Sequence, residues 1–192
     1  MTLHTLFLLD TSLSMAPIFQ SLVDYVLCPL ANTLQKGRKA GCTFRFSLFC
    51  TPENHLMLQG GDADHLETVL NQLTLGGGDP DGNESITSAL QAILPQDTSA
   101  PTEDCRYSLC IISDTLAFAD AVGNELSFDA PDNLLSVIFL HHPDCTTSLI
   151  ARSRALDSVE VSMYPLNNEL PGKVSNIALK ISDTVLLNSN LF

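Results

Sequence analysis

The sequence predicts an α/β protein: a doubly wound, mostly parallel central sheet flanked by helices, with one antiparallel edge strand. Short apolar runs alternate with amphipathic stretches along the chain, the order that lays helices over both faces of a parallel sheet. The runs LHTLFLL (3–9), YSLCIISD (107–114) and LLSVIFLHH (134–142) are apolar at most positions, as strands buried on both faces are. The chain has 192 residues, 45% of them apolar, and a mean hydropathy of +0.17, so it can bury the core of one such domain spanning residues 1–192.

Each element follows in order. Residues 3–9 form the first strand. Beyond Pro17, residues Ile18, Leu22, Val26, Leu30 and Leu34 recur every four positions and make one face of a helix. Pro29 falls inside that pattern and is expected to kink or split it. CTFRFSLFC (42–50) reads as the second strand and, after the turn TPEN, HLMLQ (55–59) as its hairpin partner. DADHLETVLNQL (62–73) is a helix with an aspartate near its start. LGGGDPDGNESITSALQAIL (75–94) gives a Gly/Asp-rich loop and a helix from about Glu84 to Leu94, stopped by Pro95. QDTSAPTED (96–104) is a polar connector, expected to be the most flexible stretch. The strand at 107–114 leads into a loop and short helix within 115–132, then the strand at 134–142. A helix at 146–156 (TTSLIARSRAL), a strand at 158–166 (SVEVSMYPL) and a final helix at 173–186 complete the chain.

The formal net charge is −13, and its distribution excludes one function class. From Phe46 to Ala151 the sole Lys or Arg is Arg106, against sixteen Asp and Glu. Nucleic-acid affinity comes largely from Lys and Arg displacing counterions, so a nucleic-acid partner is not expected. Cations and basic partners are favoured instead. No basic leader precedes an apolar segment and no apolar run approaches the ~18 residues that span a bilayer, so the chain is expected to be soluble, unprocessed and away from membranes. Six cysteines without CxxC spacing sit mostly among apolar neighbours and read as buried thiols of a cytoplasmic protein.

In such a sheet, ligands bind beyond the carboxyl ends of the strands, near the point where strand order reverses. Three segments bring oxygen donors to that rim: Asp10, Ser12 and Ser14 in LFLLDTSLSM (6–15), the loop from Asp79 to Glu84, and Asp114. Helix capping by Ser14 accounts for one hydroxyl, but not for two hydroxyls and a carboxylate at the end of an apolar strand. A buried Asp10 needs a charge partner, and these loops contain no Lys or Arg. A divalent cation meets that need, and carboxylate and hydroxyl oxygens with room for waters suit Mg²⁺.

LFLLDTSLSM resembles the Asp-x-Ser-x-Ser motif of von Willebrand factor A (VWA) domains, and the order of strands and helices is similar to that fold over essentially the whole chain. The resemblance implies a metal-ion-dependent adhesion site in which Asp10, Ser12 and Ser14 hold Mg²⁺, with Mn²⁺ or Ca²⁺ as substitutes. Asp114 falls on the family's third-loop metal aspartate. In the second loop, GGGDPDGNESITSAL places Glu84 where the family usually has Thr, similar to the integrin β-subunit variety. Asp79 and Asp81 then resemble integrin positions that hold a neighbouring cation. The acidic pair that follows Ser-x-Ser in integrin β domains is replaced here by Met15-Ala16-Pro17-Ile18, so the resemblance does not extend to the adjacent inhibitory site. The family's open coordination position takes a Glu or Asp from a partner protein, which implies a stand-alone interaction module without catalysis.

Two other readings stand beside it. A PIN-type nuclease also opens on a strand like LLDTS and uses further acids to bind Mg²⁺, but nothing here would hold a phosphate backbone. A degenerate VWA domain would keep the fold as a scaffold and bind no metal. A haloacid-dehalogenase-like phosphatase needs an acid where Ser12 stands. His141, His142 and Asp144 (HHPD) lie on the same rim, although adjacent histidines usually leave a strand in opposite directions.

Overall fold

A computed structural model describes residues 1–37, 42–78, 85–98, 105–153 and 159–188. Six strands form the main sheet: β1 (Thr2–Asp10), β2 (Thr43–Thr51), β3 (His55–Gly61), β4 (Cys105–Ser113), β6 (Leu134–His141) and β8 (Glu160–Pro165). Their spatial order is β3-β2-β1-β4-β6-β8. All neighbours run parallel except β2 and β3, whose antiparallel hairpin places β3 at the edge. Strand order reverses between β1 and β4. The chain builds outward from β1 to one side, then returns to begin again at β4.

The alternation of side chains along β1 sets the two cores. Leu3, Phe7 and Leu9 face a layer made by α1 (Phe19–Leu22), α2 (Cys28–Lys36), α3 (Ala63–Leu70) and α5 (Val174–Asn188). Leu6 and Leu8 face the other side, covered by α4 (Thr87–Thr98) and a separate pair of parallel strands, β5 (Glu125–Asp129) and β7 (Ser148–Arg152). Because both faces are covered, β1, β4 and β6 are buried along almost their whole lengths.

The helix expected to kink or split at Pro29 is divided: a π turn, Val23–Leu27, separates α1 from α2, and Pro29 falls in the first turn of α2, where a missing amide hydrogen costs little. Three other expectations change. The helix expected from about Glu84 is described from Thr87 and runs past Pro95 to Thr98. The short helix expected in 115–132 is absent among the described residues, and β5 stands there instead. The helix expected at 146–156 is the strand β7. Leu149 and Ala151 are buried while Ser148 and Arg152 are exposed, and this period of two packs the buried pair against the sheet. The connector 96–104 lies partly outside the described residues.

The six cysteines are free thiols. Cys50, Cys105 and Cys110 are buried, whereas Cys28, Cys42 and Cys145 are half-buried. Burial pushes the Cys50 thiol up to about 12, which keeps it protonated and inert at neutral pH. No described helix is long and apolar enough to cross a membrane.

Candidate metal centre at the reversal of strand order

The switch between β1 and β4 places the carboxyl ends of two central strands side by side. Asp10 is the last residue of β1 and Asp114 follows the last residue of β4. The loop after β1 is held by backbone bonds: the Thr11 amide and hydroxyl both donate to the Thr51 carbonyl, at 2.8 and 2.9 Å. The 3-10 turn Leu13–Met15 then folds Ser14 back over the strand end.

Asp10 is 0% exposed. One of its carboxylate oxygens accepts the Ser12 amide at 2.9 Å, and the other accepts the Ser113 hydroxyl at 2.8 Å. Among the described residues no Lys or Arg pairs with it. The Ser14 hydroxyl donates to Asp114 Oδ1 at 2.9 Å, which leaves the Ser12 hydroxyl as donor in its 2.8 Å contact with Ser14 Oγ. Neither serine hydroxyl caps a helix: Ser12 precedes the 3-10 turn without a side-chain capping bond, and α1 begins after Ile18. The capping explanation for Ser14 is therefore overturned.

The electrostatics of the second carboxylate are uneven. Burial raises the Asp114 carboxyl above its ordinary range and the Asp10 charge adds to that rise, while the Ser14 hydrogen bond and the nearby His142 pull it down. Two carboxylates thus share one rim with two hydroxyls, and among the described residues no Lys or Arg forms an ion pair there. The donor set fits a hard divalent ion. The Ser12–Ser14 and Ser14–Asp114 hydrogen bonds, 2.8 and 2.9 Å, hold three oxygens together at the strand ends.

Four of the five residues singled out from the sequence thus converge: Asp10, Ser12, Ser14 and Asp114. The fifth, Glu84, lies outside the described residues, as do Asp79 and Asp81. Each histidine of the HHPD segment spends one ring nitrogen locally. His141 Nδ1 bonds the His142 carbonyl at 2.7 Å, and the Asp144 amide donates to His142 Nδ1 at 3.0 Å. Among the described residues no group of three or more His, Cys, Asp and Glu is placed to hold a metal, so the candidate centre depends on its serine hydroxyls.

Sequence reasoning missed Ser113 and Asp120. Ser113 was read only as strand, although its register opposite the end of β1 points its hydroxyl at Asp10. Asp120, in the loop after β4, accepts the Ser85 hydroxyl at 2.9 Å and the amides of Ile86 and Thr87 at 3.2 and 2.7 Å. Burial alone would raise its pKa, but the Thr87 and Ser85 hydrogen bonds outweigh that, and the carboxyl is held below its ordinary range. These partners are more than thirty residues away in sequence, beyond the reach of local capping rules.

No protein-family model matches the sequence, and no curated protein matches it. Solved structures do match. The von Willebrand factor domain of the type V pili tip protein Mfa5 from Porphyromonas gingivalis superposes with a TM-score of 0.58 at 11% identity, covering 96% of both chains. The VWA domain of SpRpn10 gives 0.54 at 11% identity, over 91% of this chain and 94% of that one. Proximal thread matrix protein 1 from the mussel byssus gives 0.55 at 11% identity, over 97% of this chain and 46% of that one. The chain spans about half of the mussel protein and 22% of a structure of three Mfa5 domains. The fold of this chain is the VWA fold, with its mostly parallel sheet and one antiparallel strand.

Proposed function

We propose that this chain is a metal-dependent protein–protein interaction module: it binds Mg²⁺ through Asp10, Ser12, Ser14 and Asp114, and through the metal an acidic side chain of a partner protein. The observation that carries the reading is the hydrogen-bonded run of oxygens from Ser12 through Ser14 to Asp114, beside a fully buried Asp10 with which no Lys or Arg pairs among the described residues. The VWA fold supports it. The neighbours include a pilus tip protein and a thread matrix protein, whose names place them in assemblies.

Division of labour follows from the contacts. Ser12 and Ser14 supply neutral oxygens, and Asp114 supplies a charge that burial leaves poorly solvated. Asp10, with each oxygen already accepting one hydrogen bond, would orient the first loop and place its charge beside the ion. A bound Mg²⁺ supplies a Lewis-acidic position for an incoming carboxylate. A centre held largely by neutral groups gains most from such a ligand. Glu84, as a further ligand from the second loop, partly neutralises that gain and makes partner binding weaker or more regulated than at a site with Thr there.

We further propose that the module acts without catalysis, as a cytoplasmic adaptor. Its six free thiols suit a reducing compartment. The nuclease reading has no support in the charge distribution.

The test has two parts. Millimolar Mg²⁺ or Mn²⁺ raises the melting temperature of the wild type, because a ligand that binds only the folded state stabilises it. Affinity capture from the native cell extract, in Mg²⁺ against EDTA, retains a partner that Asp10→Ala loses. No shift at millimolar metal favours the metal-free scaffold. A partner retained equally in EDTA and by Asp10→Ala defeats the proposal.

A further inference from the structure

We propose that the face around the metal centre selects a partner segment in which a single carboxylate stands among apolar and basic side chains, with no second acid nearby. This rests on the metal-binding reading above and adds to it the chemistry of the partner.

Charge is divided between the two ends of the main sheet. Arg45 and Arg106 lie near the amino ends of β2 and β4, the end remote from the centre. The carboxyl ends carry acids instead. Asp144 is exposed in the turn after β6, and the loop after β4 brings Asp114, Asp120 and, at the start of β5, the exposed Glu125. Segments 11–18, 114–125 and 142–147, which form this rim, contain no Lys or Arg. A bound divalent ion offsets the acids that hold it and leaves the rest of the rim negative. An approaching carboxylate is drawn to the ion but repelled around it. A second acid on the partner is therefore disfavoured, while a Lys or Arg beside the first is attracted to Glu125 and Asp144.

The same rim exposes apolar side chains. Leu13, between Ser12 and Ser14, is 63% exposed, Leu116, two residues beyond Asp114, is 52% exposed, and Val122 is 87% exposed. Single exposed leucines are ordinary on any protein surface. Here three of the eight large apolar side chains exposed among the described residues stand on the first and third loops, and two of them flank the candidate ligands.

Their backbones are fixed. The Leu13 carbonyl accepts the Ala16 amide at 3.1 Å, the Leu116 carbonyl accepts the Thr146 amide at 2.9 Å, and the Val122 amide donates to the Glu125 carbonyl at 2.9 Å. The Ser14 hydroxyl, bonded to Asp114 at 2.9 Å, ties the first loop to the third. Apolar groups held ready in this way lose little freedom when a partner covers them. A partner whose acid is flanked by Leu, Ile or Phe covers Leu13 and Leu116 as its carboxylate reaches the ion, and the apolar area removed from water favours the complex.

Selection from a displayed library of random peptides built around one fixed Asp tests this. Peptides are captured by the wild type in millimolar Mg²⁺ at about pH 8, above the ordinary histidine range, and released with EDTA. The released pool is expected to be enriched in Leu, Ile, Phe, Lys and Arg beside the Asp and depleted in further Asp and Glu. The Leu13→Ser/Leu116→Ser variant is expected to lose the apolar enrichment and to bind the peptide selected by the wild type about tenfold more weakly, with Mn²⁺ affinity unchanged. The Glu125→Gln/Asp144→Asn variant is expected to lose the basic enrichment, and the salt dependence of peptide binding falls with it. Flanks enriched in acids, flanks without bias, or a leucine variant that selects the same peptides as the wild type overturn the inference. So does a wild type that binds Mn²⁺ yet yields no peptide on release with EDTA. A wild type that binds no Mn²⁺ defeats the metal-binding reading itself, and this inference with it.

Discussion

Asp114 and Asp120 leave β4 on the same loop and meet opposite environments. Asp120 is surrounded by donors from Ser85, Ile86 and Thr87, and its carboxyl is held below the ordinary range. Asp114 takes the Ser14 hydroxyl beside a second buried acid, and its carboxyl is raised. Hydrogen bonds outweigh burial at the first carboxylate, and burial outweighs them at the second. A group that only stabilises the fold resembles Asp120, whereas a group held in readiness for a ligand resembles Asp114. Perturbed acids are common at binding sites for this reason.

The largest effect is expected behind both residues, at Asp10. Asp10→Ala removes the acceptor of the Ser12 amide and the Ser113 hydroxyl, leaving buried donors whose loss costs about 1–3 kcal/mol. It also abolishes metal-dependent stabilisation, which for the wild type reaches about 2.7 kcal/mol at a metal concentration of 100 Kd. Thermal denaturation with and without Mg²⁺ measures both losses together.

Asp114→Asn separates them. The metal-dependent rise in melting temperature disappears while the metal-free protein is as stable as the wild type or more so at neutral pH, because a poorly solvated charge next to Asp10 has been removed. A metal-free protein clearly less stable than the wild type would place Asp114 in the same structural class as Asp120 and break the contrast.

Asp120→Ala shows the converse pattern in the absence of metal. Loss of a capping carboxylate costs about 1 kcal/mol, a fall of roughly 2–4 °C in Tm for a chain of this size. Urea denaturation in EDTA reads this directly.

The smallest effect is in the pH dependence, where the two acids carry opposite signs. The Asp120 carboxyl is lowered in the fold, so its stabilisation is present above the unfolded-state pKa and is lost as pH falls through the folded value. The Asp114 carboxyl is raised, so its contribution to metal-free stability is most favourable at low pH and declines as pH rises through the folded value. Metal binding needs the deprotonated acid, so Mg²⁺ affinity rises across that same window. Comparing the metal-free stability–pH curves of Asp114→Asn and Asp120→Ala with that of the wild type should show differences of opposite slope; slopes of the same sign contradict the contrast.

Legibility in the sequence followed the same division. Asp10, Ser12, Ser14 and Asp114 could be read because each lies within a few residues of a strand end, and an apolar run that stops at an acid marks that end unambiguously. The parallel sheet was readable for the same reason. Asp120 was not, because its partners are brought to it by the fold across more than thirty residues, and an aspartate in a loop carries no local sign of them. Segment 146–156 misled for a different physical reason. Leu149 and Ala151 fit a helical face as well as a strand face, and only the apolar cover needed above Leu126 and Phe128 decides for the strand. Pro29 was legible because a proline inside a helical pattern interrupts it, here through the π turn that separates α1 from α2.

On the proposed function, the oxygens at the reversal of strand order hold one divalent ion. A Mn²⁺ titration followed by electron paramagnetic resonance, on the wild type, Ser14→Ala and Asp114→Asn, tests it most directly. One bound ion per chain in the wild type, weakened in Ser14→Ala and lost in Asp114→Asn, is the result predicted. No bound ion in the wild type at millimolar Mn²⁺, or equal binding by all three proteins, contradicts it.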